Sequence, residues 1–130
     1  MTPDAHPDPY LHGVDLFNRG EYFDAHEVWE EPWQNNQGTD RLFYQALIQA
    51  AVALEHYRRG NPRSARNVWH NCRAKLHALP ERMAGLRIAV FIADMERALA
   101  PILAGPDAGT GAPAPAPFDP ALAPIIRLSP

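Results

Sequence analysis

The stretch from Gly20 to Trp33, GEYFDAHEVWEEPW, alternates apolar and polar positions with the period of a helix. At about 100° per residue, one face collects small and aromatic side chains: Tyr22, Ala25, Trp29 and Trp33. The opposite face collects polar side chains: Asp24, Glu27, Glu31 and Gln34. A period of two would instead place Trp29 and Glu31 on the same face of a strand. The pattern therefore predicts an amphipathic helix.

Helix-capping signals divide most of the remaining chain into further helices. Asp8-Pro9 and Asn61-Pro62 each combine a capping side chain with a proline at the first helical position, where no N–H is needed. Together with Asp40 as a cap and the glycines at 20 and 60, these signals predict helices over about residues 8–19, 40–59 and 62–79. A fifth helix is predicted over about residues 86–99. Its segment LRIAVFI also fits a strand, but no second strand is predicted to pair with it.

Proline-rich segments flank the helical part of the chain. We predict that residues 1–7 form a loose N-terminal arm and that residues 8–103 form a helical domain. Residues 104–117 are predicted to form a Pro/Ala/Gly-rich linker. Residues 118–130, FDPALAPIIRLSP, regain apolar side chains and predict an extended C-terminal segment. This segment either folds back onto the helices as a clasp or serves as a tethered peptide for a partner. The clasp is the simpler interpretation.

The chain also contains an internal repeat at an offset of forty residues. Five pairs match: Arg19 with Arg59, Gly20 with Gly60, Ala25 with Ala65, Val28 with Val68, and Trp29 with Trp69. The small and aromatic matches are expected to be packing residues. Polar positions differ, since His26 aligns with Arg66 and Glu30 with His70. The fold class predicted is therefore all-α, a compact bundle of about five helices built from two helical hairpins with tetratricopeptide-like packing.

Composition narrows the class of protein. The chain has 130 residues, of which 46% are hydrophobic, enough for one globular domain. A formal charge of −3 gives no global reason to expect binding to nucleic acid or a membrane. The N-terminus lacks the features of a signal peptide, and no apolar run is long enough to span a bilayer. Cys72 is the single cysteine, so a buried thiol in a reducing compartment is the simplest interpretation. These features predict a soluble cytoplasmic protein.

Two motifs, GEYFDAHEVWEEPW and YQALIQAAVALEHYRRGN, resemble those of the DUF309 family, small all-helical bacterial proteins of unknown function. The resemblance covers roughly residues 10–100, and the proline-rich tail lies outside it. It implies an all-α domain related in shape to helical repeats, without an established activity. The family's polar and aromatic pattern is matched at His26, Glu27, Glu30, Trp33, Gln45, Gln49 and His56.

These matched residues are the candidate site. On the third predicted helix, Gln45, Gln49 and His56 project from one side and would face His26 and Glu30 if helices two and three pack antiparallel. They fit a closed polar network that fixes helix register, a pocket for a small ligand or peptide, or a divalent metal site formed by His26, Glu30 and His56. The network is the simplest of the three. HEVWE lacks the second histidine of HExxH, which disfavours a zincin mechanism.

The leading functional hypothesis is a non-enzymatic module that binds a protein partner or a small ligand in this polar pocket. The competing hypothesis is a metal-dependent, hydrolase-like enzyme that uses His26, Glu30 and His56. Apart from that divalent metal, no cofactor is predicted. The fourth helix is basic and could complement the acidic face of the second helix, within the fold or in a homodimer. Without aromatic platforms in a basic surface, the pattern disfavours nucleic acid as a partner.

Overall fold

A computed structural model describes residues 8–103 and 116–129. Its helices are α1 (Asp8–Asn18), α2 (Tyr22–Asn35), α3 (Gly38–Arg58), α4 (Pro62–His77) and α5 (Ile88–Leu103). The predicted all-α fold with five packed helices is confirmed. The predicted N-terminal arm, residues 104–115 of the predicted linker, and residue 130 lie outside the described residues. Within the part described, no helix is both long enough and apolar enough to cross a membrane.

The turns that join α1 to α2 and α3 to α4 repeat one backbone geometry. Gly20 and Gly60 adopt φ angles of +79° and +82°, in the left-handed region that favours glycine. The residue after each glycine donates its N–H to a carbonyl five positions earlier: Glu21 to Leu16 at 2.9 Å, and Asn61 to His56 at 2.8 Å. This is the hydrogen-bond pattern of a Schellman helix end. The sequence repeat is therefore also a repeat of backbone structure.

The core is built from the small and aromatic residues of the two hairpins. Ala25 and Ala65 are fully buried, as are Trp29 and Trp69. Trp29 packs directly on the backbone of α1, because a Cβ placed on Gly13 would stand 2.0 Å from its indole nitrogen. That nitrogen donates to the carbonyl of Tyr10 at 3.2 Å. Helix α3, apolar on nearly every face at its middle, packs between α2 and α4.

A short β-hairpin between α4 and α5 was not expected from the sequence. Strands β1 (Arg82–Met83) and β2 (Leu86–Arg87) pair antiparallel across Ala84-Gly85. Both turn residues have positive φ, +50° and +79°, as a two-residue hairpin turn with primed geometry requires. Two-residue strands are too short to show a period, and alanine seldom adopts this conformation. The hairpin was therefore not predicted, and Leu86-Arg87, which were expected to begin the fifth helix, form a strand instead.

The C-terminal segment, defined here as residues 116–129, lies across the helices in an extended conformation with a single 3₁₀ turn at Pro120–Leu122. Its Ile126 side chain is buried in the core. The backbone N–H of Ser129 donates to the carbonyl of Gly85 at 2.8 Å, which joins the segment to the β-hairpin turn. The chain thus covers part of the helical body with its own residues.

Candidate functional site

A pocket of about 350 Å³ opens between α2 and the C-terminal half of α3. Its lining combines aromatic, imidazole, guanidinium and aliphatic groups: Tyr22, Phe23, His26, Val52, Glu55, His56, Arg59 and Asn61. Helical spacing explains the arrangement, because positions 22 and 26 are one turn apart on α2, positions 52 and 56 are one turn apart on α3, and Arg59 follows directly after α3. The structure thus brings His26 and His56 together.

His26 lies at the rim of this pocket, and each of its ring nitrogens faces an acceptor. Its Nε2 is 2.8 Å from Oε1 of Glu30, and its Nδ1 is 3.1 Å from the carbonyl of Phe23. A neutral imidazole can donate from only one nitrogen, whereas the imidazolium donates from both. The Glu30 side chain is 41% exposed, so this pair is largely solvated and contributes at most about 1 kcal/mol.

Glu55 supplies the charge at the base of the pocket. It is 7% exposed and accepts hydrogen bonds from Arg58 at 2.7 Å and Arg59 at 2.5 Å. Burial alone would raise the pKa of Glu55, but the hydrogen bonds and positive charges of the two arginines outweigh it and lower the pKa below its usual value. The carboxylate therefore stays ionised. Sequence analysis missed this residue, although Glu-x-x-Arg-Arg spacing is a signal for such pairs on a helix.

Arg59 joins this charge group to the pocket. Its Nε is held by Glu55, and its side chain is 60% exposed. Among the described residues, its terminal nitrogens have no hydrogen-bond partner. Gly60, with its positive φ, then turns the chain so that Asn61 also lines the pocket. The turn between α3 and α4 thereby places two polar side chains beside His56.

The other predicted site residues lie elsewhere. Glu27 is exposed and borders a separate, shallow cavity next to α1, with His12 and Glu31. Trp33 lies at the far end of α2, where the guanidinium of Arg41 stands 4.6 Å from the centre of its ring. Because α2 and α3 run antiparallel, that end is remote from His56. The seven candidates therefore do not form one pocket.

The two glutamines lie on α3 between these ends. Gln45 and Gln49 are both half-buried. The side-chain oxygen of Gln49 and the indole nitrogen of Trp33 are buried, and neither has a hydrogen-bond partner among the described residues. Of the closed polar network that the sequence suggested, the structure shows the His26–Glu30 pair. The network as a whole stays a prediction.

The sequence also suggested a divalent metal site formed by His26, Glu30 and His56. Across residues 8–103 and 116–129, no three His, Cys, Asp or Glu side chains are grouped as a metal site requires. Glu30 contacts His26, and His56 lies across the same pocket. The geometry therefore does not supply the predicted three-ligand set, and binding of a divalent metal stays a prediction for elemental analysis.

Cys72 lies in the core, away from this pocket. Its thiol donates to the carbonyl of Ala46 at 3.1 Å, and the side chain is fully buried. Burial raises the pKa of the Cys72 thiol far above its usual value. The thiol is therefore a packing group between α3 and α4.

The sequence that forms the pocket matches a known protein family. Residues 10–68 match the family model described as "Domain of unknown function (DUF309)". The resemblance to DUF309 is confirmed over these residues. All eight residues that line the pocket fall inside the DUF309 match. The pocket therefore lies within the residues that match the family model, whereas the C-terminal segment lies outside them.

Two curated relatives carry similar sequences. An "Uncharacterized protein" of Aquifex aeolicus is 31% identical over 84 residues, which cover 64% of this chain and 25% of the relative. The "Uncharacterized protein YpuF" of Bacillus subtilis is 38% identical over 72 residues, which cover 55% of this chain and 40% of the relative. The chain thus spans less than half the length of these relatives. Both are bacterial, and neither name assigns an activity.

Proposed function

We propose that the chain is a binding module whose pocket between α2 and α3 takes a small ligand with an acidic group beside an apolar body. The observation that carries this proposal is that His26, His56 and Arg59 line one pocket of about 350 Å³. Imidazole and guanidinium groups donate hydrogen bonds to carboxylates and phosphates. A volume of this size suits a small molecule or the end of a peptide.

The charge balance of the pocket supports an acidic ligand. Glu55 lies between Arg58 and Arg59, so this group of three carries a net positive charge, although Arg58 itself is not among the residues that line the pocket. Glu30 at the rim is already paired with His26. An incoming carboxylate or phosphate would meet the terminal nitrogens of Arg59, whereas a cationic ligand would meet the excess positive charge.

The apolar part of the pocket supports a ligand with a hydrophobic body. Phe23 is 49% exposed, and its ring lies edge-on to His26 with centroids 5.4 Å apart. Burial raises the pKa of Tyr22 to about 12, so its phenol stays neutral and adds no negative charge. Together with Val52, these side chains offer an aromatic and aliphatic surface next to the donors.

The pocket offers no aliphatic hydroxyl or thiol nucleophile among the described residues. The described residues that line it include no serine, threonine or cysteine. The one thiol, that of Cys72, is free and packed in the core. A free thiol also supports the expected reducing, cytoplasmic compartment.

Phenylacetate and its uncharged amide, phenylacetamide, test this proposal because they share a shape and differ in charge. In NMR titrations of ¹⁵N-labelled protein, we expect phenylacetate to shift the backbone signals of the pocket residues more strongly than phenylacetamide does. His56→Ala should remove most of this response. His70→Ala is the matched control, because His70 is exposed on α4 and should leave the response unchanged. Equal responses to the two compounds would contradict the proposal.

The competing metal-dependent hydrolase makes a separate prediction. It requires a near-stoichiometric divalent metal in the purified protein, lost in both His26→Ala and His56→Ala. Elemental analysis before and after dialysis against a chelator measures this directly. Metal that is present in the unaltered chain and lost in both variants would favour the hydrolase over the binding module.

A further inference from the structure

We infer that the helical body carries a second site, a groove for extended, proline-containing peptides, and that the C-terminal segment occupies this groove as a tethered ligand. The groove is formed by Asn18 at the end of α1, Tyr22 of α2, Tyr57 of α3 and the β-hairpin turn. This inference does not depend on the acidic-ligand pocket proposed above.

Asn18 recognises the peptide backbone. Its Nδ2 donates to the carbonyl of Ile126 at 2.9 Å, and its Oδ1 accepts from the N–H of the same residue at 2.7 Å. A carboxamide that satisfies both polar groups of one residue binds an extended chain whatever side chain that residue has. Arg58 occupies the corresponding position of the second hairpin, so only the first of the two repeats has this clamp.

Two side chains of the segment anchor it in the groove. Phe118 lies edge-on to Tyr22 and Tyr57, with ring centroids 6.1 Å and 5.5 Å away. Tyr57 also donates its hydroxyl to the carbonyl of Ala116 at 2.8 Å. Eight residues beyond Phe118, the side chain of Ile126 is 4% exposed. The groove therefore selects an aromatic residue followed, eight positions later, by an aliphatic one.

The residues between these anchors keep the segment in one shape. The side chain of Asp119 accepts from the N–H of Ala121 at 2.9 Å and caps the 3₁₀ turn that begins at Pro120. A second proline, Pro124, precedes the Ile126 anchor. Prolines and a capped turn reduce the entropy lost on binding, which is how preorganised peptide ligands gain affinity.

Several features distinguish a bound ligand from an integral part of the core. Leu122 and Ile125 are 40% and 42% exposed, so the segment leaves large apolar side chains in solvent between its anchors. Asn18, Tyr22 and Tyr57 lie within residues 10–68, which match DUF309, while the segment lies outside that match. Three side chains of the groove thus lie within the matched segment, whereas the β-hairpin turn and the occupant lie beyond it.

A nicked form of the full chain tests the inference. A protease recognition sequence inserted between residues 103 and 116 lets the chain be cut while every described residue is retained. A tethered segment competes at an effective concentration of about millimolar, whereas a cut one competes only at the concentration of the protein. We therefore expect a fluorescent peptide of residues 116–129 to bind the nicked protein at least about tenfold more tightly than the uncut chain, measured by anisotropy.

Substitutions in the peptide and in the nicked protein test which residues determine the affinity of the groove for the peptide. In the peptide, Phe118→Ala and Ile126→Ala should each weaken binding by about tenfold or more, because the first removes the ring that packs on Tyr22 and Tyr57 and the second removes a buried side chain. Ile125→Ala is the matched control, since this neighbour is exposed, and should leave affinity unchanged. In the nicked protein, Asn18→Ala should weaken binding, while Asn71→Ala, an exposed asparagine on α4, should not.

Circular dichroism of the nicked protein, after the tail fragment has been separated, completes the test. We expect the helical signal to persist, because α1 to α5 pack against each other without the segment. Loss of the helical signal would show that the segment is an integral part of the fold and would overturn the inference. Equal affinity of the nicked and uncut proteins, or of all peptide variants, would overturn it as well.

Discussion

The first helical hairpin, α1 and α2, and the second, α3 and α4, place the same residue types where their helices meet. Each has a glycine turn with positive φ, and each buries an alanine and a tryptophan on its second helix. Each also has an acidic residue four positions before an arginine: Asp15 with Arg19, and Glu55 with Arg59. The steric requirements of packing two helices closely are therefore met twice in the same way.

The polar positions of the two hairpins serve different purposes. The Asp15 side chain is 64% exposed, whereas that of Glu55 is 9% exposed and lies at the base of the pocket. His26 points to Glu30, while its counterpart Arg66 donates to the carbonyl of Ile102 on α5. At this pair of aligned positions, the residue of the first hairpin lines the pocket and the residue of the second hairpin holds the last helix. A duplicated backbone leaves its polar surface free to specialise.

Replacing the two buried tryptophans should lower the stability of the fold more than any other substitution compared between the hairpins. Trp29→Ala and Trp69→Ala should each lower the free energy of unfolding by about 3–5 kcal/mol, because both side chains are fully buried. Urea unfolding followed by circular dichroism measures the two losses. Trp33→Ala, at a half-buried position, is the control and should cost less. A near-native Trp69→Ala variant would show that the two hairpins are not packed alike.

The acidic residues before the turns should differ in their effects. Glu55→Gln removes a buried charge that accepts from two arginines and should cost about 1–3 kcal/mol in the free energy of unfolding. Asp15→Asn breaks an exposed pair and should cost about 0.5 kcal/mol or less. Equilibrium unfolding at pH 7 compares them. Equal losses would mean that the burial of Glu55 does not make it more important for stability than the exposed Asp15.

Acid titration sharpens the same contrast. The pKa of Glu55 is lowered in the folded state from about 4.5, so its contribution to stability is present in full above that pH. The contribution falls as the pH drops below about 4.5 and through the lower folded-state pKa. We expect Glu55→Gln to flatten the loss of stability between about pH 5 and pH 3. A slope that is unchanged in this variant would assign the acid sensitivity to other carboxylates.

The glycine turns should respond alike. A Cβ on Gly20 or Gly60 would meet no atom within 4 Å, so an alanine there costs only its unfavourable left-handed backbone. Gly20→Ala and Gly60→Ala should each lower the free energy of unfolding by about 1–2 kcal/mol. Thermal and urea unfolding measure both. Losses that differ by more than the experimental error would indicate that one turn bears an additional constraint.

The rim histidine should have the smallest effect on stability. His26→Ala should cost less than about 1 kcal/mol, because Glu30 remains solvated when its partner is removed. His70→Ala, at the exposed position that aligns with Glu30, should be close to neutral. Melting temperatures of the two variants compare them directly. A loss of several kcal/mol in His26→Ala would revive the structural polar network as the main role of this residue.

Local patterns account for what could be predicted of the fold. The amphipathic period of α2 and the glycines at 20 and 60 act within a few residues, and each corresponds to a helix or a turn in the structure. The capping predictions were less accurate, because Asn61 makes no side-chain capping hydrogen bond and α3 begins at Gly38, ahead of the predicted cap Asp40. The β-hairpin depends on Ala84, which has no intrinsic preference for its conformation. It is held in place from outside, in part by the hydroxyl of Tyr10, which donates to the Ala84 carbonyl at 2.9 Å.

The candidate site was less accessible to sequence reasoning, because a pocket depends on where helices cross. Spacing placed His26 and His56 correctly as residues that face each other across α2 and α3. It could not show that Trp33 lies beyond the end of the pocket, since that depends on how far the antiparallel helices overlap. Nor could it show that Glu55 is buried, because only the packing of the turn removes this carboxylate from solvent.

The turn at Ala84-Gly85 fastens two distant parts of the chain at one point. Tyr10 and Ser129 hydrogen-bond to its two successive carbonyls, although they are separated by more than one hundred positions in the sequence. A mechanical force that pulled Tyr10 and Ser129 apart would be transmitted through this turn. Extending it would break both hydrogen bonds in the same event, so the turn couples the first helix to the last segment.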